Sequence, residues 1–301
     1  MEAKKKIIAV IIMCAAAVGL IILIFAINAN KGEKSEKESK LTTATSAVES
    51  TKETEPETES SSQEESFVEE SETEDASNWD SYGAPASITR GSNGYIVAID
   101  AGHQAYGNFD QEPNGPNSDV YKAKVAGGTS GVATGKPEYQ LTLEIALLLK
   151  QELINRGYSV VMIRESNDVD ISNAERARMA NDAGANAFIR IHANGLNDSS
   201  VRGALSICQS PANPYNGNVY SQSRYLSECV INSYCAATGF SNQGVSESDS
   251  MTGINWSNVP NTIIEMGFMT NADEDLEMSD PTCQQYMAYG IANGIDAYFG
   301  L

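Results

Sequence analysis

The chain of 301 residues contains only two histidines, His103 and His192. Each follows a short apolar run, "GYIVAIDAGHQ" at 94–104 and "ANAFIRIHANG" at 185–195. A third run, "VPNTIIEMG", carries Glu265, and Glu138 opens a segment of helical spacing after a long Gly-, Asn- and Pro-rich stretch. Two neutral imidazoles and one carboxylate make a common catalytic zinc set, with a fourth position left for water or a substrate carbonyl. A second carboxylate, not bound to the metal, can then act as general base on a water acidified to a pKa near ~7. Asp100 or a backbone carbonyl can orient one imidazole from behind. Glu144 and Glu175 compete for the ligand role. Glu144 lies six residues beyond Glu138 on the same helix and points elsewhere, and Glu175 suits a helix cap. A lone histidine after a strand is commonly structural, but two at strand ends and none elsewhere point to a metal site.

Strands must deliver these residues. Short β-branched runs at Tyr95–Asp100, Ser159–Arg164, Ala187–Ile191, Gly203–Ile207 and Thr262–Glu265 read as strands. Between them, Glu138–Arg156 places Leu141, Ile145, Leu148 and Leu149 at helical spacing and stops at Gly157. Ser172 and Glu175 form a capping-box pattern that opens a helix to about Asp182, and Tyr220–Thr238 and Cys283–Phe299 also read as helices. Such alternation predicts an α/β domain with a mostly parallel central sheet and helices on both faces. Sites in sheets of this kind form beyond the carboxyl ends of the strands, where His103, His192 and Glu265 converge. Residues 104–134, much of 209–219 and 239–258 read as long loops, which in a compact domain usually form functional rims.

Composition divides the chain into three. Residues 1–30 read as a short cytoplasmic stub and a transmembrane signal anchor, because Ile7 to Ile27 is 21 residues without a charge. At 1.5 Å per residue that run crosses a ~30 Å hydrocarbon core. Residues 31–92 read as an acidic, Ser/Thr-rich disordered linker; 31–80 alone hold 16 acidic and 5 basic residues. Residues 93–301 form the catalytic domain. The formal net charge is −20 and no basic patch is visible, which excludes nucleic acid as a partner class. No Cys-x-x-Cys pair occurs; Cys208, Cys229, Cys235 and Cys283 allow three disulfide pairings or none. No dimerisation signal stands out, so a monomer is expected.

Four blocks, in order, resemble the zinc-dependent N-acetylmuramoyl-L-alanine amidases of the type-3 family. They are "IVAIDAGHQ", "EYQLTLEIALLL", "RESNDVDISNAERARMANDAGANAFIRIHANG" and "VPNTIIEMGFMTNADED". The resemblance runs from about Tyr95 to Phe299. It implies a sheet of about six strands and one Zn2+ held by His103, Glu138 and His192. It also implies hydrolysis of the amide between the lactyl group of muramic acid and L-alanine in peptidoglycan. Glu265 would be the catalytic residue, activating the zinc-associated water and later passing a proton to the leaving amine.

The chain also departs from the family pattern. Ala101 stands where Pro is usual, Gln104-Ala105 where Gly-Gly is common, and Arg190 where Ser is frequent. Arg190, with Asp100, is assigned to the layer behind the ligands. The segment between His103 and Glu138 is longer than usual and is expected to wall the groove for the stem peptide. Peptidoglycan lies outside the membrane, so the expected arrangement is a single-pass membrane protein with its catalytic domain extracytoplasmic, facing the cell wall. A catalytically silent wall-binding module and a zinc endopeptidase or carboxypeptidase acting on the stem peptide are the rival readings. The first should lack a ligand or the base, and all four positions are filled.

Overall fold

The computed structural model describes residues 88–301. The anchor and nearly all of the linker read from composition lie outside them; among the described residues no helix is long and apolar enough to cross a membrane. The strands are β1 (Ile88–Thr89), β2 (Ile96–Ala101), β3 (Asn108–Pro113), β4 (Tyr121–Val125), β5 (Ser159–Met162), β6 (Ala187–Asn194), β7 (Ala204–Cys208), β8 (Asn242–Glu247) and β9 (Asn261–Phe268). The helices are α1 (Glu138–Asn155), α2 (Asn173–Asp182), α3 (Tyr220–Thr238), α4 (Thr252–Asn255), α5 (Ala272–Ser279) and α6 (Pro281–Phe299). Seven strands form one sheet in the order β1-β5-β2-β6-β9-β7-β8, and β3 and β4 form a separate antiparallel ribbon.

The centre of the sheet, β5-β2-β6-β9, is parallel as expected, but the whole sheet is mixed. β7 runs antiparallel to β9, and β1 antiparallel to β5. The cause is connection length. Only residues 195–203 separate β6 from β7, with no helix, and a parallel return needs a crossover of a dozen or more residues.

Period-two alternation divides the strands between two cores. Val97, Ile99 and Ala101 of β2, Ala187, Ile189 and Ile191 of β6 and Ile264 and Met266 of β9 pack with α1, α3 and α6. Ala98 and Phe188 pack instead with Ala177 and Ala180 of α2. The same alternation sends Asp100, Arg190, His192 and Glu265 to the α2 face. The capping box on α2 forms as read, with Ser172 Oγ accepting from Glu175 N–H and the Glu175 side chain accepting from Ser172 N–H.

The segment 104–134 is not an irregular loop. Its ribbon escapes sequence reading because "NFDQEP" presents no alternating apolar face, and "YKAKV" alternates over only five residues, of which Val125 alone is buried. Polar contacts hold it in place. Glu112 accepts from Ala174 N–H at the start of α2, Asn173 Nδ2 donates to Lys124 O, and Trp256 Nε1 donates to Pro113 O. Likewise 239–258 contains β8 and the short α4.

Candidate metal centre

At the end of β2 the chain turns sharply, and His103 adopts φ +62°, a left-handed conformation costly for a residue with a Cβ. Neighbouring donors over-determine this turn. Arg164 Nε donates to Ala101 O at 2.7 Å, Thr142 Oγ1 to Gly102 O at 2.8 Å and Arg176 Nη2 to His103 O at 3.0 Å. Gly102 is required for a second reason: a Cβ there would lie 2.4 Å from Cε1 of His192. Gly128, in the loop after β4, is equally constrained, since a Cβ would meet Glu138 Oε2 at 2.9 Å and His103 Cγ at 3.0 Å.

Three donor atoms converge in this space. His103 Nε2 lies 3.0 Å from Glu138 Oε1, His192 Nδ1 lies 3.3 Å from the same oxygen, and the two ring nitrogens are 3.1 Å apart. Nδ1 of His103 is 2.8 Å from Ala126 O, so it carries the proton and leaves the Nε2 lone pair facing inward. His192 Nε2 is buried without a partner among the described residues. Burial holds the His192 pKa down to about 4, so the ring is neutral at pH 7. Glu138 enters from the first turn of α1, where the helix dipole favours a carboxylate. Its Oε1 also accepts from Ala193 N–H and its Oε2 from Thr129 N–H. Burial alone would raise its pKa, but the two imidazoles beside it outweigh that and hold it well below the usual carboxylate range.

Inward-facing lone pairs repel one another unless a cation sits among them. Donors about 2.0–2.1 Å from a tetrahedral Zn2+ stand roughly 3.3–3.4 Å apart, so the observed triangle is only slightly contracted. The residues therefore fit a divalent metal that accepts two imidazoles and one carboxylate.

Glu265 sits opposite His192 in the β6–β9 register and borders the same cleft. Burial pushes its pKa up, repulsion from Glu138 adds to this, and Arg190 partly offsets both, leaving it at about 8. The cleft encloses about 680 Å³. Lys122 and the run from Val125 to Thr129, in the long segment after His103, form one wall of this cleft; Ser250 to Gly253 form another.

Of the two acceptors expected behind the imidazoles, Asp100 or a backbone carbonyl, the backbone serves. Asp100 is fully buried but contacts no imidazole; it bonds Arg176 Nη1 at 2.7 Å and Arg190 Nε at 2.9 Å. Two guanidiniums outcompete a neutral ring for a buried carboxylate, and the Ala126 carbonyl orients His103 instead. Glu144 pairs with Lys136 and Gln284, away from the triad. The four cysteines are free thiols. Sequence reading missed Arg176, Arg164 and the loop fastening at Asp275, which accepts from Ala133 N–H, Thr134 N–H and Thr134 Oγ1. Only Gly102, beside His103, left a sequence trace.

Residues 97–297 match the family described as N-acetylmuramoyl-L-alanine amidase, two-thirds of the chain, and the chain belongs to that family. An N-acetylmuramoyl-L-alanine amidase of Mycobacterium tuberculosis is 27% identical over 220 residues, covering 71% of this chain and 88% of the relative. A Bacillus subtilis amidase of the same description is 26% identical over 171 residues, but the match spans 57% of this chain and only 33% of that longer protein. Among solved structures, the amidase Ami1 of Mycobacterium smegmatis superposes with a TM-score of 0.64 at 26% identity, covering 70% of this chain and 99% of its own.

Proposed function

We propose that the chain hydrolyses the amide between N-acetylmuramic acid and L-alanine in peptidoglycan as a zinc-dependent enzyme. The observation that carries this is the convergence of His103 Nε2, His192 Nδ1 and Glu138 Oε1, with Glu265 beside His192 on the next strand. Held by those three atoms, a Zn2+ ion would supply Lewis acidity toward the amide carbonyl and toward a nearby water. Glu265 takes the proton from the attacking water and returns it to the leaving amine. Its enclosed position keeps its proton affinity high enough for both transfers. The Arg164, Thr142 and Arg176 donors hold the turn that keeps His103 aimed.

The deciding assay incubates zinc-loaded protein with purified peptidoglycan, beside a Glu265→Ala control. The expected result is new N-terminal alanine amines from the wild type alone, with glycan strands and stem peptides otherwise intact. Cleavage within the peptide would replace the amidase assignment by an endopeptidase. Gly102→Ala provides a structural check. Its Cβ has no room beside His192, so the variant should bind zinc at least tenfold more weakly while keeping its far-ultraviolet circular dichroism. Full zinc occupancy at wild-type affinity would contradict the assigned ligand geometry.

The uncharged run Ile7–Ile27 supports a single-pass anchor, and the acidic segment 31–92 a spacer, that together hold the domain on the outer face of the membrane within reach of the wall. Protease added to intact protoplasts should shave off the domain; protection would place it inside.

A further inference from the structure

Beneath the ligand triad lies a buried layer with more positive charge than the protein neutralises. Arg176 is fully buried, and Arg164 and Arg190 are each 3% exposed. Arg176 and Arg190 divide a single carboxylate, Asp100. Arg164 bonds only neutral oxygens: the carbonyls of Ala101, Gly102, Tyr139 and Ser166, and the side chains of Asn167 and Thr142. A buried cation without a counter-ion is costly, so this layer favours an anion wherever one can approach.

It can approach at Arg190. Nε of Arg190 is taken by Asp100 and Nη2 by Asn173 Oδ1 at 2.8 Å, but Nη1 has no hydrogen-bond partner among the described residues. The guanidinium lies against the bare Cα of Gly253, where an added Cβ would come within 2.2 Å of Nη1, and both residues border the catalytic cleft. Lys122 borders it too, its ammonium donating to Ser250 O. The acidic side chains of the cleft, Glu138 and Glu265, already have roles in the proposed reaction. Residues 81–301 hold 12 basic against 23 acidic residues, whereas this cleft matches its two acids with two cations, a balance more positive than the domain's.

We propose that Arg190 Nη1 receives a carboxylate of the stem peptide, so that this enzyme selects stem peptides with a free carboxylate over those in which it is amidated. The inference rests on the amidase reading and names the substrate form the same site prefers. A guanidinium N–H and a carboxylate oxygen make a charge-assisted pair. A primary amide in the same place offers a weaker acceptor and brings two donors of its own toward a donor.

The test uses two synthetic muramoyl peptides identical except that one side carboxyl is free or a primary amide, and the two corresponding sugar-free peptides. Hydrolysis gives the acid-to-amide ratio of kcat/KM, and calorimetry on the sugar-free pair gives a ratio of Kd that needs no turnover. The wild type should favour the acid form on the order of tenfold or more in both, less so at high salt. Arg190→Gln should bring both ratios to about one, and Arg190→Lys should retain part of the preference. Each ratio compares two ligands on one preparation, so the folded fraction cancels. Should Arg190→Gln fail to fold, Gly253→Ala, which displaces the guanidinium, should also reduce the ratio. A wild-type ratio near one, or an undiminished ratio in the variants, overturns the proposal. Acid-selective binding without hydrolysis of either substrate would sink the amidase reading and leave the role of Arg190 standing.

Discussion

Glu265→Gln lowers kcat on the order of 10³-fold while zinc content and KM stay near wild type. The glutamine keeps the shape of the side chain beside His192 but cannot take a proton from water, and general-base catalysis contributes roughly 10²–10⁴-fold. The pH profile separates this role from a structural one. In the wild type the rate rises with pH as the carboxyl ionises. Burial and Glu138 raise that pKa to about 8 in the metal-free chain, and a divalent cation beside it would draw it down toward the ordinary value of 4.5. The rising limb should therefore fall between those limits and vanish in the variant. Stability gives an independent reading. Because the carboxyl's folded pKa lies above its unfolded one, the native state holds more protons between pH 4.5 and 8, and this group's contribution declines as pH rises. Melting temperatures of metal-free wild type and variant should diverge in the variant's favour across that interval. Parallel curves, together with a retained acidic limb in Glu265→Gln, would assign the base elsewhere.

How much of this was legible in the sequence depended on whether a residue's position follows from local pattern. His103, His192 and Glu265 could be placed because each ends an apolar run, and the ends of parallel strands share one edge of a sheet. Glu138 could be placed because a helix start follows a long connection, and the N-terminus of that helix must return to the same edge. What escaped depends on pairing between distant segments. The antiparallel course of β7 is set by a short connection, and its partner strand β9 begins 57 residues after β7 does. The β3–β4 ribbon buries little apolar surface and is fixed by its own Glu112, which accepts from Ala174 N–H, and by Asn173 and Trp256 from other elements. Asp100 was singled out as an acceptor for an imidazole, but its partners are Arg176 on α2 and Arg190 on β6, 76 and 90 residues away. Sequence placed an acid next to the site; only the fold shows that it is buried and that arginines claim it.

That arrangement links the fold to the chemistry. Arg176 reaches Asp100, the Ala101 and His103 carbonyls and Gln104 with one guanidinium, so α2 packing, the capping box at Ser172 and the strained turn at His103 depend on each other. The turn's unfavourable φ persists because so many donors define it. On the other face, Asp275 fastens residues 133–134 and thereby the loop that brings Ala126, Gly128 and Glu138 together.

Removing a ligand tests that coupling most directly, and Glu138→Ala has the largest expected effect. Two imidazoles alone hold zinc far more weakly than a three-ligand site, so affinity should fall by well over a hundredfold, and amidase activity should drop to background. Glu138 also accepts from Thr129 and Ala193 N–H groups, so its loss leaves two donors without their acceptor and loosens the loop against β6. Glu138→Gln separates these effects. Its amide oxygen can still accept one of those N–H groups, so thermal stability in chelator should stay closer to wild type, yet a neutral amide is a poor zinc ligand and activity should remain lost. Chelation of the wild type should abolish activity, and added zinc should restore both activity and melting temperature, since a ligand that binds only the native state stabilises it by RT ln(1 + [L]/Kd). The two variants should show little or no zinc-dependent rise in melting temperature. A chelated wild type that remained fully active, or a Glu138→Ala variant whose melting temperature rose with zinc as the wild type's does, would remove the metal from the mechanism proposed for these residues.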